Sequence, residues 1–162
     1  MTGRLKSNRK GWNDLKRKLK TFDYERSVDV GFFANAQYGP DNDNLQVAQV
    51  AAWNDYGTST NPPRPFMTVD FAGAVKSEFK DYARRVFVTL LTRNITQVNQ
   101  EIEHIGIIFE EELKDIIVQY PGSNASWWAA EKGFNDPLRH TDTMLESVSS
   151  RVKKGSRVIK KG

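Results

Sequence analysis

Residues 95–120 read ITQVNQEIEHIGIIFEEELKDIIVQY and carry the strongest periodic pattern of the chain. Steps of three and four between apolar side chains place them on one face of an α-helix. The stripe is too short for a sustained coiled coil, which favours a helix packed against a core. Its members are Ile95, Val98, Ile102, Ile105, Phe109, Leu113, Ile116 and Tyr120.

A weaker helical stripe precedes this one. Asn94, followed three residues later by Gln97, matches a capping box, which marks the start of a helix. The two stripes therefore predict two helices that meet near Asn94, with one long kinked helix as the alternative. The earlier stripe consists of Ala72, Val75, Phe79, Tyr82, Val86 and Leu90.

Shorter patterns predict the remaining elements. A basic helix over 11–22 carries an apolar stripe of Trp12, Leu15, Leu19 and Phe22, which favours packing on the parent domain over lying on a membrane. The other predictions are a strand over 27–33, a helix over 45–56 capped by Asn44 and ended by Gly57, a helical turn over 141–146, a strand over 147–152, and Val158-Ile159 as an extension of the sheet.

Length and composition exclude several classes of protein. The chain has 162 residues, which predicts a single domain over 1–162 with flexible basic ends at 1–10 and 153–162. It has no cysteine, which excludes disulfides, thiolate zinc sites, iron–sulfur clusters and a Cys nucleophile. No apolar run reaches the roughly 18 residues of a membrane helix, and the basic start lacks the apolar segment of a signal peptide. We therefore expect no membrane segment and an intracellular start.

Charge is distributed unevenly behind a net charge of +4. Residues 1–20 carry +7, residues 151–162 carry +6, and the middle carries −9. Basic ends on an acidic body indicate contact with a polyanion such as DNA or with an acidic protein surface, and the alternative is a pair of solvated tails. The candidate contact residues are Arg151, Lys153, Lys154, Arg157, Lys160 and Lys161.

Catalytic and cofactor-binding patterns are missing from the sequence. It has neither a glycine-rich phosphate loop nor a paired-histidine motif, and neither of its two histidines, His104 and His140, has a nucleophile context. The many carboxylates leave an acid–base pair possible in principle, but nothing nominates one. We therefore expect no enzyme activity, no cofactor and no metal site.

Two segments carry a resemblance to a known family. The first is Val47-Ala48, then Trp53-Asn54-Asp55-Tyr56-Gly57-Thr58, then Pro62-Pro63-Arg64-Pro65-Phe66. The second is Asp136-Pro137-Leu138, then Thr141-Asp142-Thr143-Met144-Leu145-Glu146-Ser147-Val148. In residue types and order they resemble two motif blocks of the tail-completion (head–tail joining, or neck) proteins of long-tailed bacteriophages. The family has Gly where this chain has Asp142.

The resemblance, together with the elements above, implies an α+β fold. It implies a small antiparallel sheet packed with one or two long amphipathic helices, plus an N-terminal basic helix. The residues of the motif, which the resemblance implies for subunit interfaces, are Asn54, Asp55, Tyr56, Gly57, Thr58, Arg64, Pro65, Phe66, Leu138, Thr141, Met144 and Ser147.

The same resemblance implies a non-catalytic structural subunit of a virion. Such a subunit forms a ring, by analogy a hexamer, in the neck or at the top of the tail, and joins the finished tail to the DNA-filled head after assembly in the host cytoplasm. Its implied partners are other copies of itself, the adjacent head-closure and tail-terminator or tail-tube proteins, and channel DNA bound without sequence specificity.

Several alternatives stay open at this point. Arg64 offers a planar donor fork to a neighbouring subunit, or it pairs with Asp55 or Asp70 of its own chain. If position 142 needs a positive φ, Asp tolerates it better than most residues. A tail terminator that caps the tail tube is the neighbouring function, a non-specific DNA-binding protein is a second class, and a small carboxylate enzyme is a third.

Overall fold

The structure is a computed structural model that describes residues 9–22, 26–124, 126–133, 135–139, 141–155 and 157–161. Residues 1–8, most of the expected N-terminal flexible end, lie outside the described residues, as does His140. The helices are α1 (Arg9–Phe22), α2 (Val47–Tyr56), α3 (Ala72–Thr92), α4 (Ile95–Gln119), α5 (Ser126–Lys132) and α6 (Thr143–Glu146), and the strands are β1 (Arg26–Phe32), β2 (Val148–Lys154) and β3 (Arg157–Lys161). These elements confirm the α+β class, the small antiparallel sheet and the basic N-terminal helix.

The three strands form one antiparallel sheet in the order β1-β2-β3. β1 pairs with β2 along its whole length, from Arg26 opposite Lys154 to Phe32 opposite Val148. The sheet therefore pairs strands that are far apart in sequence, with helices α2 to α6 between β1 and β2 and helix α1 before β1.

Strand β3 follows β2 closely. Gly155 has a positive φ of 59°, and Arg157 lies opposite Lys154 in the register. The predicted strand over 147–152 and its extension at Val158-Ile159 are confirmed. The stretch 153–162, expected to be a flexible end, thus includes the end of β2 and the whole of β3, because backbone pairing with β2 satisfies its N–H and C=O groups.

Helix α4 covers one face of the sheet. At Gly106 the helix comes so close that a Cβ would lie 3.1 Å from Val28 and 3.4 Å from Ser150. Most of the predicted α4 stripe is buried, although near the C-terminal end Ile117 takes the core position in place of Ile116, as expected when 3.6 residues make a turn. The buried apolar residues of α4 are Val98, Ile102, Ile105, Phe109, Leu113 and Ile117.

Helices α3 and α4 form an antiparallel hairpin. The Asn94 side chain accepts a hydrogen bond from the backbone N–H of Gln97 (3.0 Å), and the Gln97 side chain accepts one from the N–H of Asn94 (3.4 Å). The predicted capping box is confirmed, and with it the two-helix alternative. The capping box fixes the start of α4 only two residues after α3 ends at Thr92.

Helix α3 is less buried than its stripe predicts. Leu90 is buried, but Phe79 of the same stripe is 66% exposed. The sheet lies on the α4 side of the hairpin, so in the described part of the chain α3 packs mainly on α4, on the turn that precedes it and on α1. Three further apolar side chains of α3 are exposed, namely Phe87, Val88 and Leu91.

Helix α1 lies at the end of the hairpin where α3 turns into α4. Its Lys18 Nζ donates a hydrogen bond to the carbonyl of Leu91 (3.1 Å). Leu15 is half-buried, whereas Trp12 and Leu19 are 57% and 43% exposed, so the predicted packing on the domain is met only in part. None of the helices in the described ranges is long and apolar enough to cross a membrane.

The predicted N-cap of α2 is wrong. Gln46 occupies that position without a side-chain hydrogen bond, and Asn44 lies in the preceding turn with φ 52°. The N–H of Val47 is instead satisfied by the carbonyl of Ala36 (3.1 Å), so the loop before α2 replaces the side-chain cap. Gly57 does follow the last residue of α2, as predicted.

Candidate functional site

The first motif segment forms a compact unit at the C-terminal end of α2. Asn54 binds Arg64 twice, because its carbonyl accepts from the Arg64 backbone N–H (2.7 Å) and its Oδ1 accepts from Arg64 Nη1 (3.2 Å). Asn54 Nδ2 donates in turn to the carbonyl of Val50 (3.0 Å). The guanidinium of Arg64 is therefore positioned by a side chain that is itself anchored to α2.

Asp55 joins the end of α2 to the start of α3. It is 3% exposed, and its Oδ1 accepts hydrogen bonds from the backbone N–H groups of Met67 (2.8 Å) and Thr68 (3.2 Å). These donors belong to the π-helical turn Phe66–Phe71 that leads into α3, where backbone N–H groups lack helical partners. Its other oxygen, Oδ2, is buried without a hydrogen-bond partner among the described residues.

The turn after α2 requires glycine at its first position. Gly57 has φ 78° and ψ 175°, a conformation essentially restricted to glycine. A Cβ at this position would lie 2.8 Å from the backbone nitrogen of Pro63. Thr58 Oγ1 closes the turn by accepting from the N–H of Asn61 (3.0 Å), and the neighbouring Tyr56 is 73% exposed.

Arg64 and Phe66 have different environments on either side of Pro65. Phe66 is fully buried, and its ring packs edge-on against Phe32 at 6.3 Å between centroids. Arg64 is half-buried and forms no ion pair within the described ranges. The pairing with Asp55 or Asp70, one of the two alternatives for Arg64, is thus not formed in this structure.

The second motif segment is held together by Arg139. Its Nε and Nη2 donate to the two carboxylate oxygens of Asp142 (2.8 and 2.9 Å), and its Nη1 donates to Asp136 Oδ2 (3.1 Å). Asp142 has φ 55°, so this position does adopt the positive φ that a glycine would favour. Leu138 and Met144, on either side of the pair, are buried.

The hydroxyl groups of this segment stabilise the short helix α6. Thr141 Oγ1 lies 2.7 Å from Thr143 Oγ1, so one hydroxyl donates to the other. Ser147 Oγ donates to the carbonyl of Thr143 (2.6 Å). These contacts give Thr141 and Ser147 local structural roles at the two ends of α6.

The two motif segments meet across a cleft of about 660 Å³. Five motif residues, Asn54 and Arg64 from the first segment and Leu138, Thr141 and Met144 from the second, line it. Of the remaining motif residues, Asp55 and Phe66 are buried and Tyr56 is exposed to solvent. The motif residues that do not line the cleft are Asp55, Tyr56, Gly57, Thr58, Pro65, Phe66 and Ser147. The cleft is also lined by Asn124, Lys132 and Arg139, which were not among the predicted site residues, and by Asp142, the position where the family has Gly.

Three cations converge on the cleft. Lys132 Nζ donates to the carbonyl of Asp136 (2.6 Å), and burial lowers the pKa of Lys132. The hydrogen bond to Asp142 raises the pKa of Arg139, whose guanidinium is committed to carboxylates of its own segment. Arg64 forms no ion pair within the described residues, so its guanidinium is suited to a carboxylate or carbonyl group of a partner.

We expect acid to weaken the contribution of Asp142 to folding. The hydrogen bond from Arg139 lowers the pKa of Asp142 below the ordinary value of an aspartate. A carboxyl group with a lowered pKa contributes stability above its unfolded pKa and loses it as pH falls through the folded pKa. Asp142→Asn should cost about 0.5–1 kcal/mol at pH 7, because the pair is partly exposed, and close to nothing near pH 3.

Urea unfolding at pH 3 to 7 measures this difference. Asp41→Asn serves as the control, because Asp41 is exposed and forms no ion pair in the part of the chain that the structure describes. A cost of Asp142→Asn that is the same at pH 3 as at pH 7 would contradict the prediction.

The C-terminal basic residues lie in the sheet. Arg151 stacks on the ring of Phe33, with its guanidinium carbon 3.5 Å from the ring centroid, and donates to Asn35 Oδ1 (2.7 Å). Lys153 forms an ion pair with Asp29. These two candidate contact residues therefore already have partners in the sheet or just beyond the end of β1. Of the other four, Lys154 ends β2, and Arg157, Lys160 and Lys161 belong to β3.

In the described residues no group of three or more His, Asp or Glu side chains is placed to hold a metal ion. Comparisons of the chain with protein-family models, with curated proteins and with solved structures return no match.

Proposed function

We propose that this chain is a non-catalytic structural subunit of a bacteriophage virion, which forms a ring at the neck or the top of the tail and joins the tail to the DNA-filled head. The proposal starts from the two motif segments that resemble tail-completion proteins. It is supported by what those segments do in the fold and by the surfaces that the fold leaves open.

The cleft is the observation that carries the proposal. Two segments about 70 residues apart in sequence supply its opposite walls. In each segment, polar side chains form hydrogen bonds within the segment itself, such as Arg64 to Asn54 and Arg139 to Asp142. Such a site is rigid before any partner arrives, which lowers the entropic cost of binding. A rigid cleft in which the Arg64 guanidinium forms no ion pair within the described residues suits the docking of a protein segment better than catalysis.

Exposed apolar surface also favours an assembled subunit. Phe79, Phe87, Val88 and Leu91 of α3 are all at least 40% exposed. Apolar surface of this extent on one helix is typical of a protein-binding face. The α3 surface is therefore expected to be covered in the assembled ring.

Loss of the gene from the phage that encodes this chain tests the proposal. Electron microscopy of the resulting particles should show filled heads beside separate tails of normal length. Tails of abnormal length would instead assign the chain to tail termination. Intact, infectious virions would overturn the structural role.

Complementation of the same knock-out tests the role of Arg64. Arg64→Ala should lower the yield of infectious particles at least about tenfold without unfolding the chain, because the cleft loses a cation that forms no ion pair within the described residues. Arg93→Ala is the matched control, since Arg93 is exposed in the α3–α4 turn and lies outside the cleft. Equal yields from the two variants would contradict the proposed docking at the cleft.

Non-specific DNA binding is the competing function. It predicts that the isolated chain binds duplex DNA with an affinity that falls steeply with salt. The ion pair of Lys153 with Asp29 and the stacking of Arg151 on Phe33 lower the number of cations available to phosphates. For this reason we favour protein contacts over DNA contacts for this part of the chain.

A further inference from the structure

The apolar face of α1 is open. Trp12 and Leu19 are seven residues apart and therefore lie on the same side of the helix, and they are 57% and 43% exposed. Lys16 and Lys20 flank this side at helical spacing, and Lys16 Nζ stacks on the Trp12 ring at 5.2 Å from its centroid. A helix with an apolar face and a basic edge is complementary to an apolar groove with acidic residues at its rim.

The charges of α1 and α4 are complementary. Helix α1 carries six Lys/Arg and one Asp, a net charge of +5, whereas α4 carries six Asp/Glu and one Lys, a net charge of −5. Glu101 and Glu110 of α4 already pair with Arg85 and Lys114. Acidic charge near the C-terminal end of α4 is still available.

A groove of about 360 Å³ lies at that end of α4. Asp70, Glu112 and Asp115 line it together with Ile116 and Tyr120. None of the three carboxylates has an ion pair in the described ranges. Two apolar side chains close to these acids in sequence are exposed, namely Val69 and Val118.

Helix α1 and the groove belong to opposite ends of the α3–α4 hairpin. The Lys18 contact to Leu91 places α1 at the turn end, where a hydrogen bond from Arg26 to Asn99 also holds the start of β1. The groove lies at the other end, beyond about 31 Å of helix α3. One chain therefore cannot bring its own α1 onto its own groove.

We propose that the open apolar face of α1 docks on a second copy of this chain, with Trp12 and Leu19 in the groove at the C-terminal end of α4. This contact specifies how the subunits of the proposed ring bind one another. The head-to-tail arrangement rests on the proposed function. Unlike surfaces at opposite ends of a subunit generate a heterologous contact, which closes into a ring when its rotation allows. The carboxylates at the rim select the basic edge of α1 and fix its direction.

Sedimentation of the purified full chain tests the docking. The wild-type chain should associate at micromolar concentration, and rising salt should weaken the association. Trp12→Ser combined with Leu19→Ser should weaken it at least about tenfold. Ile107→Ser, which removes an exposed apolar side chain of α4 that does not line the groove, should associate like the wild-type chain and serves as the control.

A charge exchange between two variants makes the test specific. One variant carries Lys16→Glu and Lys20→Glu, the other carries Glu112→Lys and Asp115→Lys, and each alone should remain monomeric. Mixed in equal amounts they should associate, because each α1 then meets a groove of opposite charge. Failure of the mixture to associate would overturn the proposal. A wild-type chain that stays monomeric would also overturn it, and so would one that binds anionic vesicles but does not bind a second copy of itself.

This result is distinguishable from failure of the proposed function. Association in solution is measured without any phage. If knock-out particles lack head–tail joining while the wild-type chain stays monomeric, only the α1 docking is rejected. If the chain associates as described but the knock-out phage is intact, the virion role is rejected and the self-docking stands.

Discussion

Replacing Phe66 with alanine is expected to lower the free energy of unfolding by about 3–5 kcal/mol. Phe66 is fully buried and contacts the ring of Phe32, so alanine would leave a cavity between β1 and the start of α3. Urea unfolding followed by circular dichroism measures the loss. Because Phe66 follows Arg64 by two residues, the same change should also loosen the wall of the cleft.

Phe79→Ala is the matched control for this variant. Phe79 is 66% exposed, so the same substitution should cost less than about 0.5 kcal/mol in a chain dilute enough to be monomeric. Phe66→Leu, which keeps most of the volume, should cost about 1.5 kcal/mol. Similar losses for the alanine variants at positions 66 and 79 would show that Phe66 does not anchor the core.

Replacing Gly57 with alanine is the second large expected effect. At φ 78° and ψ 175° a side chain is strained, and the added Cβ would lie 2.8 Å from the backbone nitrogen of Pro63. The strain and the forced movement of the proline turn should together cost about 3 kcal/mol. The turn positions Arg64, so the variant should also complement the knock-out phage poorly.

Gly39→Ala provides a control of opposite sign. Gly39 has φ −74°, and a Cβ there has no atom within 4 Å. Alanine should therefore stabilise the chain by about 0.5 kcal/mol, because it restricts the unfolded state without strain in the folded one. If thermal unfolding gave losses of the same size for both variants, the conformation at Gly57 would not be the cause.

Local patterns predicted most of the helices and strands. The α4 stripe, the capping box at Asn94 and the strand at 147–152 depend on neighbours within a few residues, so spacing alone reveals them. The N-cap of α2 was wrong because Ala36, a residue from another loop, supplies the partner for Val47. The exposure of Phe79 was missed because periodicity tells which residues share a face, not whether anything covers that face.

The candidate site was only partly predictable. The motif indicated Asn54 and Arg64, but not that the Asn54 side chain holds the guanidinium. The pairing of Arg139 with Asp142 is local in sequence. It could have been predicted, because a basic residue three positions before an acidic one in a turn often forms such a pair. That both segments face one cleft depends on tertiary packing, for which a single sequence carries no local pattern.

The pairing of β1 with β2 has a consequence for how the protein is made. The two strands are about 115 residues apart, and closing a loop of that length costs about 4 kcal/mol before any contact forms. During translation β1 therefore has no partner strand until residue 154 has left the ribosome. The helical hairpin can form early from local contacts, whereas the sheet that covers α4 can form only late. A truncated chain without β2 leaves that face of α4 uncovered, so quality-control proteases and chaperones can recognise it before it reaches any assembly.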